Sequence, residues 1–347
     1  MRDPLAPFRA ALRALDRFEW MVDRSERSQS LGAMRIRRGL ALVLLASGLI
    51  LAAFNVVRGG TPAPGHVIML MLAAALYTNS SGRFIRDWSP VIAVVIVYGL
   101  AFHFAQATRF PVTYTPQITA DKLIGFGTLP TVWLQAHLPL SIGIEWFCVL
   151  MYTTHFFFPL TLGFYIWLAR RGEGFGELMY TDILLSVLAG VTYVLLPSAP
   201  PWLAAQHGLA PGVHEFLRTS LDGVGLGSIA AFKGDTHAYD VTAAFPSIHA
   251  AFPVIGFLVI RKYRMPSWLL YLETVRLVGV WFMIVYTGEH YVVDVIGGLV
   301  YALVAWWIVQ RVRDRSRPDE PAGDDPEVEV IVVSMSGPPA ARPALHR

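Results

Sequence analysis

Cysteine is all but missing from this chain. A single Cys148 sits inside an apolar run, so no internal disulfide can form and a thiol-ligated metal site is argued against. Lysine is nearly as scarce, with three Lys among the 28 basic residues and Arg for the rest. Charge of either sign is thin, at 15% of residues against roughly 25% in an ordinary soluble domain. That shortfall excludes a conventional soluble globule. The net charge of +3 is modest, and the basic residues cluster in particular loops and at the two ends, a pattern that orients a membrane protein rather than binding nucleic acid. No long apolar run precedes Arg38, so a cleavable signal peptide is not expected.

What is present instead is hydrocarbon. Hydrophobic residues make up 54% of the chain and mean hydropathy is +0.49, spread over several runs long enough to cross a bilayer. The runs predict an all-α, polytopic membrane helical bundle of about eight spans, near 39–57, 65–80, 89–107, 143–169, 179–197, 247–261, 267–287 and 290–310. With a cytoplasmic N-terminus, 22 basic residues fall on the cytoplasmic side and 5 on the other, with Arg276 inside a span. That asymmetry fixes the expected orientation in a cell membrane, with both termini cytoplasmic. The chain then divides into a basic segment over 1–38, three accessory spans over 39–107, an extracytoplasmic interfacial segment over 108–142, a catalytic core over 143–310, and a charged, Pro-rich tail over 311–347 expected to be disordered. Segments 108–142 and 198–246 face outward as lids or interfacial helices, with Trp133 and Trp202 suited to the headgroup level.

Two short segments carry chemistry. Phe245-Pro246-Ser247-Ile248-His249 leads from the outer loop into the sixth span, with Ser247 placed as an N-cap and His249 one turn inside. Tyr286-Thr287-Gly288-Glu289-His290-Tyr291-Val292-Val293-Asp294 turns between the seventh and eighth spans, so both histidines meet the same face. Side chains at i and i+4 are helix neighbours, and Asp294 is therefore expected to accept a hydrogen bond from the His290 ring. The other ring nitrogen keeps its lone pair for attack on phosphorus, and His249 can donate a proton to the departing oxygen. Both spans run inward from this face, and their N-termini are expected to offer unpaired N–H groups to a phosphate.

These residues resemble the type 2 phosphatidic acid phosphatase (PAP2) superfamily, whose membrane members share a Pro-Ser-x-His motif and a later His-x-x-x-Asp motif. Pro246 to His249 and His290 to Asp294 match in order, and the resemblance covers about 145–310. It implies that His290 is the phosphorylated nucleophile, Asp294 its orienting partner and His249 the general acid. The run Leu196-Pro197-Ser198-Ala199-Pro200-Pro201-Trp202, with His290-Tyr291, looks most like the branch of inositol phosphorylceramide synthases and other inositolphosphotransferases. Two family features are absent. The span before Pro197 has no basic residue, and Ile284 stands where the family has an Arg six residues before the second His. The phosphate charge must then be met by helix ends, Ser247, Tyr291 or a basic residue such as Lys233 or Arg218. A monoanionic diester or a transferase substrate fits that shortage better than a dianionic monoester.

Other readings stand beside this one. A lone His at a membrane interface is more often a helix-end polar residue than a catalyst, and it is the grouping with Asp294 that raises the catalytic reading. Arg276, with Glu273 one turn before it and Asp182 on another span, reads as part of a buried ion pair. His155 and Asp182 are intramembrane polar groups with either a packing or a supporting role. The expected activity is transfer of a phosphate or phosphorylated headgroup, with a lipid phosphate or phospholipid as partner and no metal or other cofactor required. A lipid-phosphate phosphatase is the alternative. A proton-coupled lipid transporter or flippase, and a non-catalytic scaffold, are the rivals of other classes. Oligomeric state is not legible.

Overall fold

The computed structural model describes residues 31–57, 64–92, 110–169, 172–224 and 242–316. The segment 1–30, most of the expected span 89–107, Lys233 and the tail beyond residue 316 lie outside the described residues. Within them the chain is helical, and its extended pairing is limited to two isolated bridges. In order the helices are α1 (Leu31–Val57), α2 (Pro64–Tyr77), a helical stretch over 81–92, α3 (Thr115–Ile124), α4 (Pro130–His137), α5 (Ile142–Leu168), α6 (Gly172–Leu195), α7 (Pro201–Gln206), α8 (Phe216–Gly223), α9 (Ile248–Lys262), α10 (Ser267–Tyr286) and α11 (Val292–Ser316).

Four of these, α1, α6, α10 and α11, are long and apolar enough to cross a bilayer, and α5 makes a fifth if its two bent halves form one span. α2 is apolar but has 14 residues, and α9 has 15, so the expected count of eight is approximate. Leu42, Val43 and Ile50 on α1, and Val300 and Trp307 on α11, are exposed. Large apolar surfaces of this kind are stable against lipid and not against water. The protein is a multi-pass membrane helical bundle.

α9 is the centre of the bundle, packed against α5, α6, α10 and α11. Ser247 caps it, its Oγ accepting the Ala250 N–H at 3.3 Å, while Arg261 and Lys262 lie in its last turn, where cations suit the helix dipole. Small residues let neighbours close in. A Cβ on Gly298 of α11 would collide with the Ser247 carbonyl, and one on Gly256 of α9 with the Glu273 carboxylate of α10. α5 bends by 48° between Ile142–His155 and Phe157–Leu168. Pro159 accounts for the bend, because it has no N–H to give the His155 carbonyl four residues earlier and its ring crowds that turn.

The bundle's two ends differ. Around α5, α6, α9 and the 81–92 stretch, Phe84, Trp88, Leu162, Trp167, Phe175 and Val259 form the main apolar core. At this end Glu177 takes Lys262 Nζ at 2.7 Å and Arg313 Nε at 3.3 Å. At the other end α3, α4, α7 and α8 form a cover of short helices. Trp133 is exposed there, but Trp202 is buried, with its backbone N–H on the Gly288 carbonyl at 3.0 Å. Trp202 therefore faces the protein and not the lipid. Its ring packs inside the cover, because Pro200 and Pro201 start α7 directly over the turn that precedes α11.

Candidate active site

His249 is the second residue of α9, and His290 ends the turn between α10 and α11. That turn is tight: Glu289 N–H and His290 N–H both reach the Ile284 carbonyl at 3.0 Å. Gly288 sits at φ +78°, a conformation that glycine adopts without a Cβ clash. The two rings meet, with His290 Nε2 at 3.3 Å from His249 Nδ1. His290, at 5% exposure, and Asp294, at 0%, are buried.

The orientation of His290 differs from the expectation in one respect. Its Nδ1 lies 2.9 Å from the Ala244 carbonyl oxygen, while Asp294 Oδ2 is 3.5 Å away and accepts the Tyr291 backbone N–H at 2.9 Å. The backbone carbonyl is the nearer acceptor and the carboxylate a longer electrostatic partner. Either way Nδ1 carries the proton and Nε2 faces His249 with its lone pair.

Ala244 is held in turn by a small ladder. Thr113, Ser198 and Ala243 lie side by side in parallel bridges, with Thr113 N–H on the Pro197 carbonyl at 2.8 Å and Ala244 N–H on the Ser198 carbonyl at 3.1 Å. Ser198 Oγ accepts Phe245 N–H at 2.8 Å, Tyr193 Oη donates to the Pro246 carbonyl at 2.6 Å, and Ser247 N–H reaches the Asp294 carbonyl at 3.1 Å. Residues 244 to 247 are thus each tied down, the first two to Ser198, Pro246 to α6 and Ser247 to α11. A rigid frame of this kind is what precise placement of reacting groups requires.

Beneath the pair lies a third imidazole. His155, beside the α5 bend, has its ring centroid 3.9 Å from that of His249. Deeper still, Arg276 gives Nε and Nη2 to the two Glu273 carboxylate oxygens, each at 2.6 Å, and stacks over Phe158 at 4.3 Å. The ion pair expected from the sequence is present, and Asp182 faces it with a buried Oδ1 that has no hydrogen-bond partner.

The remaining expected residues fall as follows. The Ser247 hydroxyl is buried and serves as the α9 cap. Tyr291 is fully buried among Ile118, Leu129, Ala204 and Val213, its hydroxyl without a partner. Lys233 is outside the described residues, and Arg218 is exposed on α8. The expectation of open N–H groups at the start of α11 is corrected. Val292 N–H and Val293 N–H are taken by Asp121 Oδ2 and Oδ1 at 2.9 and 2.8 Å, so carboxylates occupy the place an external anion would take.

Asp121 was not legible as a site residue. It is a lone acid in the short amphipathic α3, 171 residues from its partner, and no local pattern announces such a bond. Gln135 was missed for the same reason. Its Nε2 donates to the His214 and Tyr286 carbonyls, each at 2.8 Å, and its Oε1 accepts His214 N–H at 2.9 Å, locking α4 onto the end of α10.

Two curated proteins are similar to this chain. A phosphoinositol dihydroceramide synthase of Bacteroides thetaiotaomicron is 27% identical over 157 residues, 43% of this chain and 50% of that protein. An inositol phosphorylceramide synthase of Candida albicans is 26% identical over 161 residues, 44% of this chain and 33% of that protein. The chain thus spans half or less of the curated relatives it matches. No solved structure matches it. The PAP2 superfamily profile matches residues 119–308, from the helix that carries Asp121 to the last turns of α11, and the chain belongs to that superfamily.

Proposed function

We propose that this protein transfers a phosphorylated headgroup from a phospholipid to the hydroxyl of a second lipid, through a phosphohistidine on His290. The observation that carries the reading is the direct pairing of His290 Nε2 with His249 Nδ1 at 3.3 Å, with His290 Nδ1 pinned on the Ala244 carbonyl. In the first step Nε2 forms a bond to phosphorus, the phosphorus–oxygen bond to the donor lipid breaks, and His249 protonates the departing oxygen. In the second step the acceptor hydroxyl gives its proton to His249, its oxygen bonds to phosphorus, and the phosphorus–nitrogen bond breaks. Asp294 stabilises the imidazolium character that develops on His290. The rings stand too close to admit phosphorus between them, so substrate must part them.

Two features support a lipid substrate. An apolar groove of about 580 Å³ lies between the α3–α4 turn and α10–α11, lined by Phe126, Trp133, Leu134, Trp281, Phe282 and Val295 among others. Its size falls in the range of small-molecule sites, and its lining suits one hydrocarbon chain. Trp281 joins this groove to the site, its Nε1 donating to the carbonyl of Ala250, the neighbour of His249, at 2.9 Å. The commitment of Arg276 to Glu273 favours a monoanionic diester over a dianionic monoester, and the relatives' names point to phosphoinositol as headgroup and a ceramide-type acceptor. Arg261, Lys262, Arg313 and Arg315 lie at the helix ends remote from the histidines, which supports an extracytoplasmic site with cytoplasmic termini.

The test uses the purified full chain in detergent, given a phosphoinositol phospholipid and dihydroceramide, with products followed by mass spectrometry. The expected product is phosphoinositol dihydroceramide with no dependence on an ion gradient, and His290→Ala abolishes it. Release of inorganic phosphate from a lipid phosphomonoester, with no transfer product, would establish the phosphatase instead. Lipid movement across vesicles carrying the protein, without any chemistry and stopped by His290→Ala, would establish the transporter.

A further inference from the structure

We propose that Asp121 is a positioning residue for this reaction: from α3 it completes the N-terminal cap of α11 and so holds His290 and Asp294 in register with His249. The proposal rests on the functional reading above and names a residue that neither catalytic motif contains.

A helix start exposes N–H groups that a Ser, Thr, Asp or Asn at the preceding residue normally satisfies. Before α11 stands Tyr291, whose side chain is turned into the apolar cluster of the cover and cannot serve. The cap is assembled from two other carboxylates. Asp294 reaches back to Tyr291 N–H at 2.9 Å, which is one half of a capping box. Asp121 takes the next two N–H groups from a distant helix, at 2.9 and 2.8 Å to Val292 and Val293.

A capping requirement alone does not explain this choice. Asp121 is fully buried, and burial pushes its carboxyl above the ordinary carboxylate range, against the lowering effect of the Val293 and Val292 N–H groups. A hydroxyl at position 291 would cap α11 without placing an extra charge in a dry site. What Asp121 adds is a link between elements. α3 packs on α11, Ile118 and Tyr291 share one cluster, and the residues that follow Asp121, from Ile124 to Phe126, roof the apolar groove. The roof of the groove and the first turn of the nucleophile's helix are thus one unit. Asp121 and Asp294 thus hold the first turn of α11 from two sides, one from α3 and one from within the helix.

The test compares wild type, Asp121→Asn and Asp121→Ala as full-length protein in detergent. Folding is followed by thermal unfolding, and turnover with the phosphoinositol phospholipid and dihydroceramide. A misplacement of about 1 Å lowers rates by about 100-fold, so kcat should fall roughly 10- to 100-fold in both variants, with KM within about twofold. Asn, which keeps one acceptor, should lose less than Ala. Independently of any substrate, the rate of His290 carbethoxylation by diethyl pyrocarbonate is measured against pH by peptide mass spectrometry. Around His290 stand His249 of α9, Asp294 of α11 and its chain neighbour Glu289, with His155 of α5 behind His249 and Asp121 of α3 on the N–H groups two and three residues further on. Removing one negative charge from that set destabilises the imidazolium, so the midpoint should move to lower pH in Asp121→Asn. A fall in activity that only tracks lost folded protein, with an unmoved midpoint, would overturn the proposal. If wild type turns over neither lipid, the functional reading fails by itself, and the shift in carbethoxylation still decides the role of Asp121.

Discussion

Gly298→Ala tests whether the pairing of His249 with His290 is set by how closely α9 and α11 approach. A Cβ at position 298 would lie well under 3.0 Å from the Ser247 carbonyl oxygen and 3.2 Å from the Ala250 Cβ. The obstacle is backbone, so no side-chain rotation relieves it. The first turn of α9 has to retreat from α11 by on the order of 1 Å, and overpacking of this kind costs about 1–3 kcal/mol. The same seam holds the Ser247 N–H bond to Asp294 at 3.1 Å and the 3.3 Å contact between His249 and His290, and both lengthen together. A displacement of about 1 Å at reacting groups lowers turnover by about 100-fold. The assay is headgroup transfer by detergent-purified protein alongside thermal unfolding. Gly297→Ala provides the contrast, because its new Cβ meets the edge of the Phe245 ring, which can swing aside, and the loss should be smaller. Gly143→Ala meets nothing within 4 Å and should be neutral. Wild-type turnover in Gly298→Ala would refute the idea that this seam sets the geometry.

Further expectations follow from the same contacts. Asp294→Asn should lower kcat roughly 10- to 100-fold, less than the ~10⁴ seen where an Asp alone fixes the tautomer, because the Ala244 carbonyl still anchors Nδ1; steady-state kinetics decide between the two sizes. Arg276→Met leaves the Glu273 carboxylate buried and unpaired and should destabilise by about 3–5 kcal/mol, whereas replacing both residues with apolar ones should recover most of that in a thermal melt. Gln135→Leu removes three hydrogen bonds; the His214 carbonyl keeps the Phe216 N–H, but the Tyr286 carbonyl and the His214 N–H lose this partner, at about 1–3 kcal/mol for a buried group so stranded. Limited proteolysis should then cut between residues 110 and 140 in the variant before it cuts wild type.

The legible parts of this protein were those written in local pattern. Apolar runs of near-membrane length marked seven of the eight expected spans where described helices lie, and the four-residue spacing of His290 and Asp294 brought their side chains together, although His290 stands just ahead of the helix that carries Asp294. Ser247 as the cap of α9 followed from its position ahead of an apolar run. The ion pair of Glu273 with Arg276 followed from i,i+3 spacing in a span. What the pattern could not show were contacts made by backbone or across long separations. The Ala244 carbonyl has no side-chain identity to notice, and its place depends on a ladder joining residues 113, 198 and 243. Asp121 and Gln135 act across more than 70 residues each, where spacing carries no information. Trp202 was misplaced because an aromatic near a span end suits both the headgroup level and the inside of a cover, and only packing separates the two.

The ladder that seats Ala244 also bears on how far the site reaches along the chain. Thr113, Ser198 and Ala243 come from three widely separated segments, so the acceptor for the His290 ring exists only where those segments have met. The tautomer of one imidazole is thereby made a property of the closed cover and not of any single helix.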